Sequence, residues 1–91
     1  MQVEWDADKA RANLATHGVS FEDALTVFGD PLATTVLDLD HSIDEDRWLT
    51  TGRTEAGRLV VVSHTDREEA IRIISARVVT ASERRTYELG E

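Results

Sequence analysis

The chain has 91 residues and a formal net charge of −8 at neutral pH. Its length and its 41% hydrophobic content predict a single globular domain spanning residues 1–91. The absence of cysteine excludes disulfides and thiolate metal sites. The N-terminus lacks the basic start and apolar run of a signal peptide, and no segment is apolar enough to span a membrane. We therefore expect a cytoplasmic protein without membrane contact.

The charges are distributed unevenly along the chain. Residues 1–46 contain two basic and eleven acidic residues, whereas residues 47–91 contain eight arginines and seven acidic residues. The acidic total argues against avid, non-specific nucleic-acid binding. Arginine, however, is favoured where a planar, multi-donor group contacts phosphate or carboxylate. The second half could bind an anionic ligand, although ordinary solvated surface arginines are an equally good interpretation.

The first third of the chain predicts a short strand followed by two helices. Residues 3–5 suit the strand, and Asp6 suits the cap of a helix that ends at Gly18. Ser20 predicts the start of a second helix, because the apolar residues after it recur at helical spacing. The segment 29–31, Gly-Asp-Pro, ends that helix.

The rest of the chain predicts a β-meander and a last helix. The candidate strands are residues 34–37, 47–54, 58–65 and 71–79. Short turns between them favour antiparallel pairing. Thr80 and Glu83 have the spacing of a capping box, which predicts a final helix after the last strand. The fold class is therefore α+β, with two N-terminal helices packed on an antiparallel sheet of about four strands and a C-terminal helix.

The second half concentrates side chains suited to cutting RNA without a metal. Such cleavage needs groups that move protons and cations that stabilise the charge on the phosphorus-centred transition state. The candidates are His64, Arg72, Arg77, Glu83, Arg84, Arg85 and Tyr87. Each candidate also has a purely structural interpretation: Glu83 as a helix cap, Tyr87 as a ring packed on the sheet, His64 as a core histidine.

The strand pattern opposes a site that uses both strand arginines. Alternation places Arg72 and Arg77 on opposite faces, unless a bulge or a strand end intervenes. On the first helix, residues at three- and four-residue spacing form a polar stripe, which either borders a cleft or faces solvent. Its members are Asp6, Lys9, Asn13 and His17.

No cofactor or metal site is predicted. The sequence has no phosphate-binding glycine motif and no nucleophile elbow. The acidic segment 38–46 imitates the start of a calcium loop. However, Ile43 and Leu49 stand where that loop requires glycine and glutamate.

Two separated segments resemble the signatures of the BrnT toxins. The N-terminal one comprises residues 4–9, Asn13, residues 17–21 and residues 27–28. The C-terminal one comprises residues 72–77, residues 83–85 and Tyr87, and the segments 30–31 and 51–53 also fit. The resemblance implies a RelE-like α+β fold and a ribonuclease that halts translation. It also implies neutralisation by a BrnA-like antitoxin, a ribbon-helix-helix DNA-binding protein.

The resemblance also implies roles for individual residues. Catalytic roles fall to Arg72, Arg77, Glu83, Arg84 and Tyr87, and His64 is added because of its position and chemistry. RNA binding falls to Lys9, His17, Arg53 and Arg85. The toxin–antitoxin complex would repress its own operon, with operator DNA contacted only through the antitoxin. The net charge favours an alternative, in which the chain is a catalytically inactive corepressor subunit.

Overall fold

The computed structural model describes residues 1–90, which form a five-stranded sheet, three α-helices and a 3-10 helix. In chain order these are β1 (Gln2–Trp5), α1 (Ala7–His17), α2 (Phe21–Ala24), the 3-10 helix (Leu25–Gly29), β2 (Thr34–Leu37), β3 (Arg47–Arg53), β4 (Leu59–Arg67), β5 (Ala70–Val78) and α3 (Ala81–Leu89). Within residues 1–90, no helix is long and apolar enough to cross a membrane.

The strand order in the sheet is β1-β5-β4-β3-β2. Strands β2 to β5 form the predicted antiparallel meander. The prediction of about four strands, all antiparallel, is wrong in one respect: β1 is a fifth strand and pairs in parallel with β5, from Gln2 opposite Ala70 to Trp5 opposite Ile73. A four-residue strand gives little periodicity, and no turn indicates a partner so far along the chain.

The predicted helix caps are present, although the second helix is shorter than expected. The Asp6 carboxylate accepts hydrogen bonds from the first turn of α1, and Gly18 ends that helix at a φ of 69°. Ser20 caps α2, which changes to a 3-10 helix after one turn. Thr80 and Glu83 form the capping box of α3. These contacts lie within three or four residues along the chain, which explains why the sequence predicts them.

The hydrophobic core lies between one face of the sheet and the helices α1 and α2. Phe21 and Val27 from the helical layer pack with Val60 and Val62 of β4, all fully buried. The ring of Trp5 meets that of Phe21 edge-on, with centroids 5.9 Å apart. This face of the sheet therefore supplies most of the apolar burial.

The polar stripe predicted on α1 is interrupted, because Asn13 is buried. Strand β1 ends at Trp5, so the later part of β5 has an unpaired backbone edge there. The Asn13 side chain fills it: its nitrogen donates to the carbonyl of Ala76 at 2.8 Å, and its oxygen accepts from the Ala76 amide at 3.0 Å. Asn13 is thus a structural residue that satisfies a strand edge in place of a neighbouring strand.

Candidate active site

A β-bulge in β5 brings the two strand arginines to the same side of the sheet. Relative to β4, β5 carries one extra residue, Ile74. Arg72 lies opposite Thr65, and Arg77 lies opposite Val61. Residues directly opposite share a face, and the two β4 residues are four positions apart, so all four side chains lie on the face away from α1 and α2. Strand alternation alone would place the two arginines on opposite faces, and this bulge explains why they share one.

Arg77 is held by a carboxylate of α3. Its two terminal nitrogens donate to the two carboxylate oxygens of Glu83, at 2.7 and 2.9 Å. Oxygen Oε1 of Glu83 also accepts the amide of Thr80 at 2.8 Å. The hydrogen bond from Arg77 lowers the pKa of Glu83 to about 2, although burial opposes this shift. While the pair is intact, Glu83 is therefore ionised, but its low pKa makes it too weak a base to take a proton efficiently near neutral pH.

Arg72 is paired in the same way, with a carboxylate of the neighbouring strand. Nitrogen Nη1 of Arg72 lies 2.7 Å from Oε2 of Glu4, and about a quarter of the arginine side chain is exposed. Both arginines are thus accessible from solvent, and both are neutralised by an acidic partner. A phosphate that enters this face competes with a carboxylate for each guanidinium.

Tyr87, one turn after Glu83 on α3, lies beside a second carboxylate. Its hydroxyl donates to Oδ2 of Asp30 at 2.6 Å. The guanidinium carbon of Arg53 lies 5.8 Å from the centroid of the Tyr87 ring. The hydrogen bond to Asp30 raises the pKa of Tyr87, so its phenol is protonated at neutral pH.

Asp30, Arg53 and Tyr87 line a cavity of about 380 Å³ at the end of the sheet, between α3, β3 and the 3-10 helix. Thr26, Gly29, Leu32, Thr54 and Glu55 complete its lining. The sequence predicts Tyr87 and Arg53 as site residues, but it assigns Asp30 no role in the site. The available signal was its place in the segment 30–31 of the family resemblance.

The structure does not bring His64 to these residues. His64 is 5% exposed and lies on the helical face, where its ring meets Phe28 edge-on with centroids 5.1 Å apart. Its Nε2 lies 2.7 Å from the hydroxyl of Thr50, while Nδ1 has no hydrogen-bond partner among residues 1–90. Burial lowers the pKa of His64, which keeps the ring neutral. This geometry matches a core histidine.

The other predicted site residues, one catalytic (Arg84) and three for RNA binding (Lys9, His17 and Arg85), are exposed and scattered. Lys9 and His17 lie on α1 and border a shallow cavity of about 220 Å³ beside Ile74. Arg84 and Arg85 are exposed on α3, and Arg84 lies 3.8 Å from Glu88. The structure therefore unites Arg77 with Glu83 and Arg53 with Tyr87, places Arg72 on the face of Arg77, and leaves the remaining candidates apart.

Arg72 and Arg77 lie on the sheet face away from α1 and α2, called here the open face, beside the C-terminal helix of an α+β domain. Solved structures contain the same fold. The crystal structure of the Brucella abortus ribonuclease toxin BrnT matches with a TM-score of 0.67. The match covers 88% of this chain and 97% of that one, at 24% sequence identity. No curated protein matches the chain at a significant level.

Residues 5–83 match the family model of BrnT, the ribonuclease toxin of type II toxin–antitoxin systems. The chain therefore belongs to the BrnT family, and the resemblance seen in its two signatures is confirmed. Membership of this family implies an antitoxin as partner.

Proposed function

We propose that this chain is a cytoplasmic endoribonuclease that cleaves RNA without a metal ion and thereby inhibits translation. Family membership supports a ribonuclease. The observation that carries the residue assignment is the bulge at Ile74, which puts Arg72 and Arg77 on one open face next to α3. The guanidinium of Arg77 beside the carboxylate of Glu83, with the phenol of Tyr87 on the same helix, is a suitable set for in-line attack by a ribose 2′-hydroxyl.

The two arginines have different tasks in this proposal. Their partners on β4 are four residues apart, which separates the arginine backbones by about 13 Å along the sheet. Arg77 adjoins α3 and contacts the scissile phosphate, where it stabilises the charge that develops on the oxygens. Arg72 pairs with β1 at the other side and contacts a flanking phosphate, so it contributes to binding of the RNA strand.

Displacement of Glu83 from Arg77 provides the base. When a phosphate takes the guanidinium, Glu83 loses the hydrogen bond that holds its pKa near 2. Its pKa then rises toward the ordinary value of a glutamate, and the carboxylate becomes able to accept the 2′-hydroxyl proton. The 2′-oxygen then attacks the phosphorus, the bond from phosphorus to the 5′-oxygen breaks, and the 5′-oxygen takes a proton from water. Tyr87 and the exposed Arg84 lie on the same helix and contact the ribose and the leaving oxygen. Lys9, His17, Arg53 and Arg85 contribute outlying contacts to RNA.

The decisive experiment compares purified variants on an RNA substrate in a chelator. We expect wild-type cleavage to persist in EDTA. Arg77→Ala should lower kcat by about 100-fold or more, because it removes a contact to the developing charge. Arg72→Ala should mainly raise KM. Arg11→Ala is the matched control, since Arg11 is an exposed arginine on α1, on the other side of the sheet.

Circular dichroism should show that all three variants fold. Loss of cleavage in EDTA, restored by added magnesium or manganese, would refute the metal-independent mechanism. Full activity of a folded Arg77→Ala variant would refute the assignment of Arg77.

The partner in this proposal is a BrnA-like antitoxin with a ribbon-helix-helix domain, encoded next to the toxin. The antitoxin neutralises the toxin, and the complex represses its own operon, so this chain meets operator DNA only through the antitoxin. Co-expression should restore growth that the toxin alone arrests. Footprinting of the operator should show protection by the complex and by the antitoxin, and none by this chain alone.

A catalytically inactive corepressor subunit is the second candidate. The observation that favours it is the pairing of both face arginines with carboxylates in a chain of net charge −8. In that case the purified chain leaves RNA intact, and yet it still raises the affinity of the antitoxin for operator DNA.

A further inference from the structure

One carboxylate, that of Asp30, joins three separate elements. Its Oδ1 accepts the amide of Leu32 at 2.9 Å, which closes the turn after the 3-10 helix. Its Oδ2 accepts the amide of Arg53 at 2.8 Å, at the end of β3. The same oxygen accepts the hydroxyl of Tyr87 on α3 at 2.6 Å. Asp30 is thus a junction between the helical layer, the sheet and the C-terminal helix.

The carboxylate of Asp30 packs closely against Gly52 of β3. A Cβ at Gly52 would lie only 3.3 Å from Oδ2 of Asp30, so glycine leaves the space that the carboxylate uses. Arg53 donates to the carbonyl of Gly57 at 3.1 Å and lies beside the Tyr87 ring. The ring of Tyr87 is therefore fixed at its hydroxyl by Asp30 and over its face by Arg53.

We propose that Asp30 is a positioning residue for RNA cleavage, which fixes the Tyr87 hydroxyl and with it the placement of α3 against the sheet. The inference rests on the proposed ribonuclease function and adds a residue to it. Helix α3 has no buried residue of its own, so specific polar contacts, rather than apolar packing, must hold it in place. Glu83, on the same helix, depends on that placement to meet Arg77.

A chemical consequence follows for Tyr87. Its single hydroxyl proton is donated to Asp30, so only its oxygen lone pairs remain free for a substrate. The same hydrogen bond raises the pKa of Tyr87 and lowers that of Asp30, against the opposing effect of burial on Asp30. Tyr87 therefore meets RNA as a neutral phenol that accepts a hydrogen bond, for example from a ribose hydroxyl.

The first test reads Tyr87 directly. It is the only tyrosine in the chain, so its ionisation can be followed by ultraviolet absorbance without interference from another phenol. We expect a titration midpoint above the ordinary value of about 10 in the wild type and a lower midpoint in Asp30→Asn. Glu55→Gln is the matched control, because Glu55 lines the same cavity, and it should titrate like the wild type.

Circular dichroism at the same pH values confirms that each variant is folded. Equal midpoints for the wild type and Asp30→Asn would overturn the proposed contact. A shift of the same size in Glu55→Gln would also overturn it, since the effect would then reflect general charge in the cavity.

The second test is a double-mutant cycle on cleavage. Asp30→Ala and Tyr87→Phe should each lower kcat by about 10- to 100-fold, with little change in KM, because misplacement by about 1 Å has an effect of this order. The double variant should be no slower than the slower single variant. Additive losses would show that Asp30 does not act through Tyr87, and they would overturn the inference.

The two tests separate this inference from the proposed function. If the wild type cleaves no RNA, the proposed function fails and the catalytic part of this inference is overturned with it. The titration then still decides whether Asp30 holds Tyr87. If the wild type cleaves RNA but Asp30→Ala retains full kcat, the positioning role is overturned while the ribonuclease function stands.

Discussion

Two carboxylates keep the arginines of the open sheet face occupied before any ligand arrives. Glu4 pairs with Arg72, and Glu83 pairs with Arg77. Partly exposed ion pairs of this kind contribute little to stability, so their main effect is on binding. They lower the affinity for an anionic ligand, because a phosphate must bind each guanidinium more favourably than the carboxylate that it displaces.

The buried His64 should make the free energy of unfolding depend on pH. Burial lowers its pKa below the ordinary value of about 6.5, so below that pH the unfolded chain binds more protons than the folded one. The contribution of His64 is therefore present above pH ~6.5 and is lost as the pH falls toward its lowered pKa, by at most about 1.4 kcal/mol per pH unit. Urea unfolding between pH 7.5 and 5 measures this loss.

A glutamine at position 64 should remove the pH dependence in this window, since it carries no titrating group. His17→Gln is the control, because His17 is exposed on α1. Glu83 does not interfere: its pKa is lowered from 4.5 to about 2, so its contribution is lost only below pH 4.5. An unchanged pH slope in His64→Gln would contradict the prediction.

The close packing around Gly52 should make any larger side chain there destabilising. A Cβ there would lie 3.0 Å from the Cβ of Ala33 and 3.2 Å from that of Val27, both closer than normal packing. Gly52→Ala should lower the free energy of unfolding by about 1–3 kcal/mol, which is the usual cost of overpacking. Gly29→Ala is the control, since a Cβ there meets nothing within 4 Å. Equal thermal stability of the two variants would contradict this expectation.

At the scale of elements, α3 and the segment 38–46 are attached differently from the rest of the fold. Helix α3 has no buried residue, and Glu83 and Tyr87 provide its side-chain hydrogen bonds to the sheet and to Asp30 after the 3-10 helix. The segment 38–46 exposes 80% of Leu39 and 86% of Ile43. Exposed apolar side chains among acidic ones are typical of a protein-binding surface.

We predict that the antitoxin docks partly on the segment 38–46. A DNA-binding antitoxin is basic, so acidic side chains there should steer its approach, and the exposed apolar side chains should anchor it. Changing Asp40, Asp44 and Asp46 to asparagine should slow association several-fold at low salt and weaken its dependence on ionic strength. Stopped-flow fluorescence of the mixed proteins measures both effects.

The control changes Glu22, Glu55 and Glu88 to glutamine, which removes the same net charge at exposed positions that share no cavity with this segment. If the two triple variants associate equally fast, total charge rather than this surface controls docking. An association rate that ignores both salt and the substitutions would refute the prediction altogether.

For the whole molecule, net charge and local charge act against each other. The net charge of −8 repels RNA over long distances, whereas in the proposed site Arg72 and Arg77 contact phosphate at short range. Salt screens the long-range repulsion and weakens the local contacts at the same time. We therefore predict a shallow salt dependence: for about two phosphate contacts to a single strand, log(kcat/KM) should fall with log[salt] at a slope no steeper than about −1.4.

Initial-rate kinetics between 50 and 300 mM salt tests this prediction. A slope steeper than about −3 would mean that many more cations contact the RNA than Arg72 and Arg77. Arg72→Ala should flatten the slope by about 0.7 if this residue contacts one phosphate.

The sequence by itself determined the features whose cause is local. Asp6, Ser20 and Thr80 cap the helices that they were predicted to cap, because a cap and its partner lie within three or four residues. The four meander strands were predicted within two residues of their observed bounds, because apolar runs between turn residues mark them. The family was identified from two signatures, and the match to the family model confirms the family.

Only the tertiary structure decided which of these residues meet. The bulge at Ile74 overrides strand alternation, and alternation gives no sign of where pairing slips. The bond from Tyr87 to Asp30 spans 57 positions, and that from Asn13 to Ala76 spans 63. Sequence periodicity reports which face of its own element a residue occupies. It carries no information on which distant element packs there, because that depends on how whole elements fit together in space.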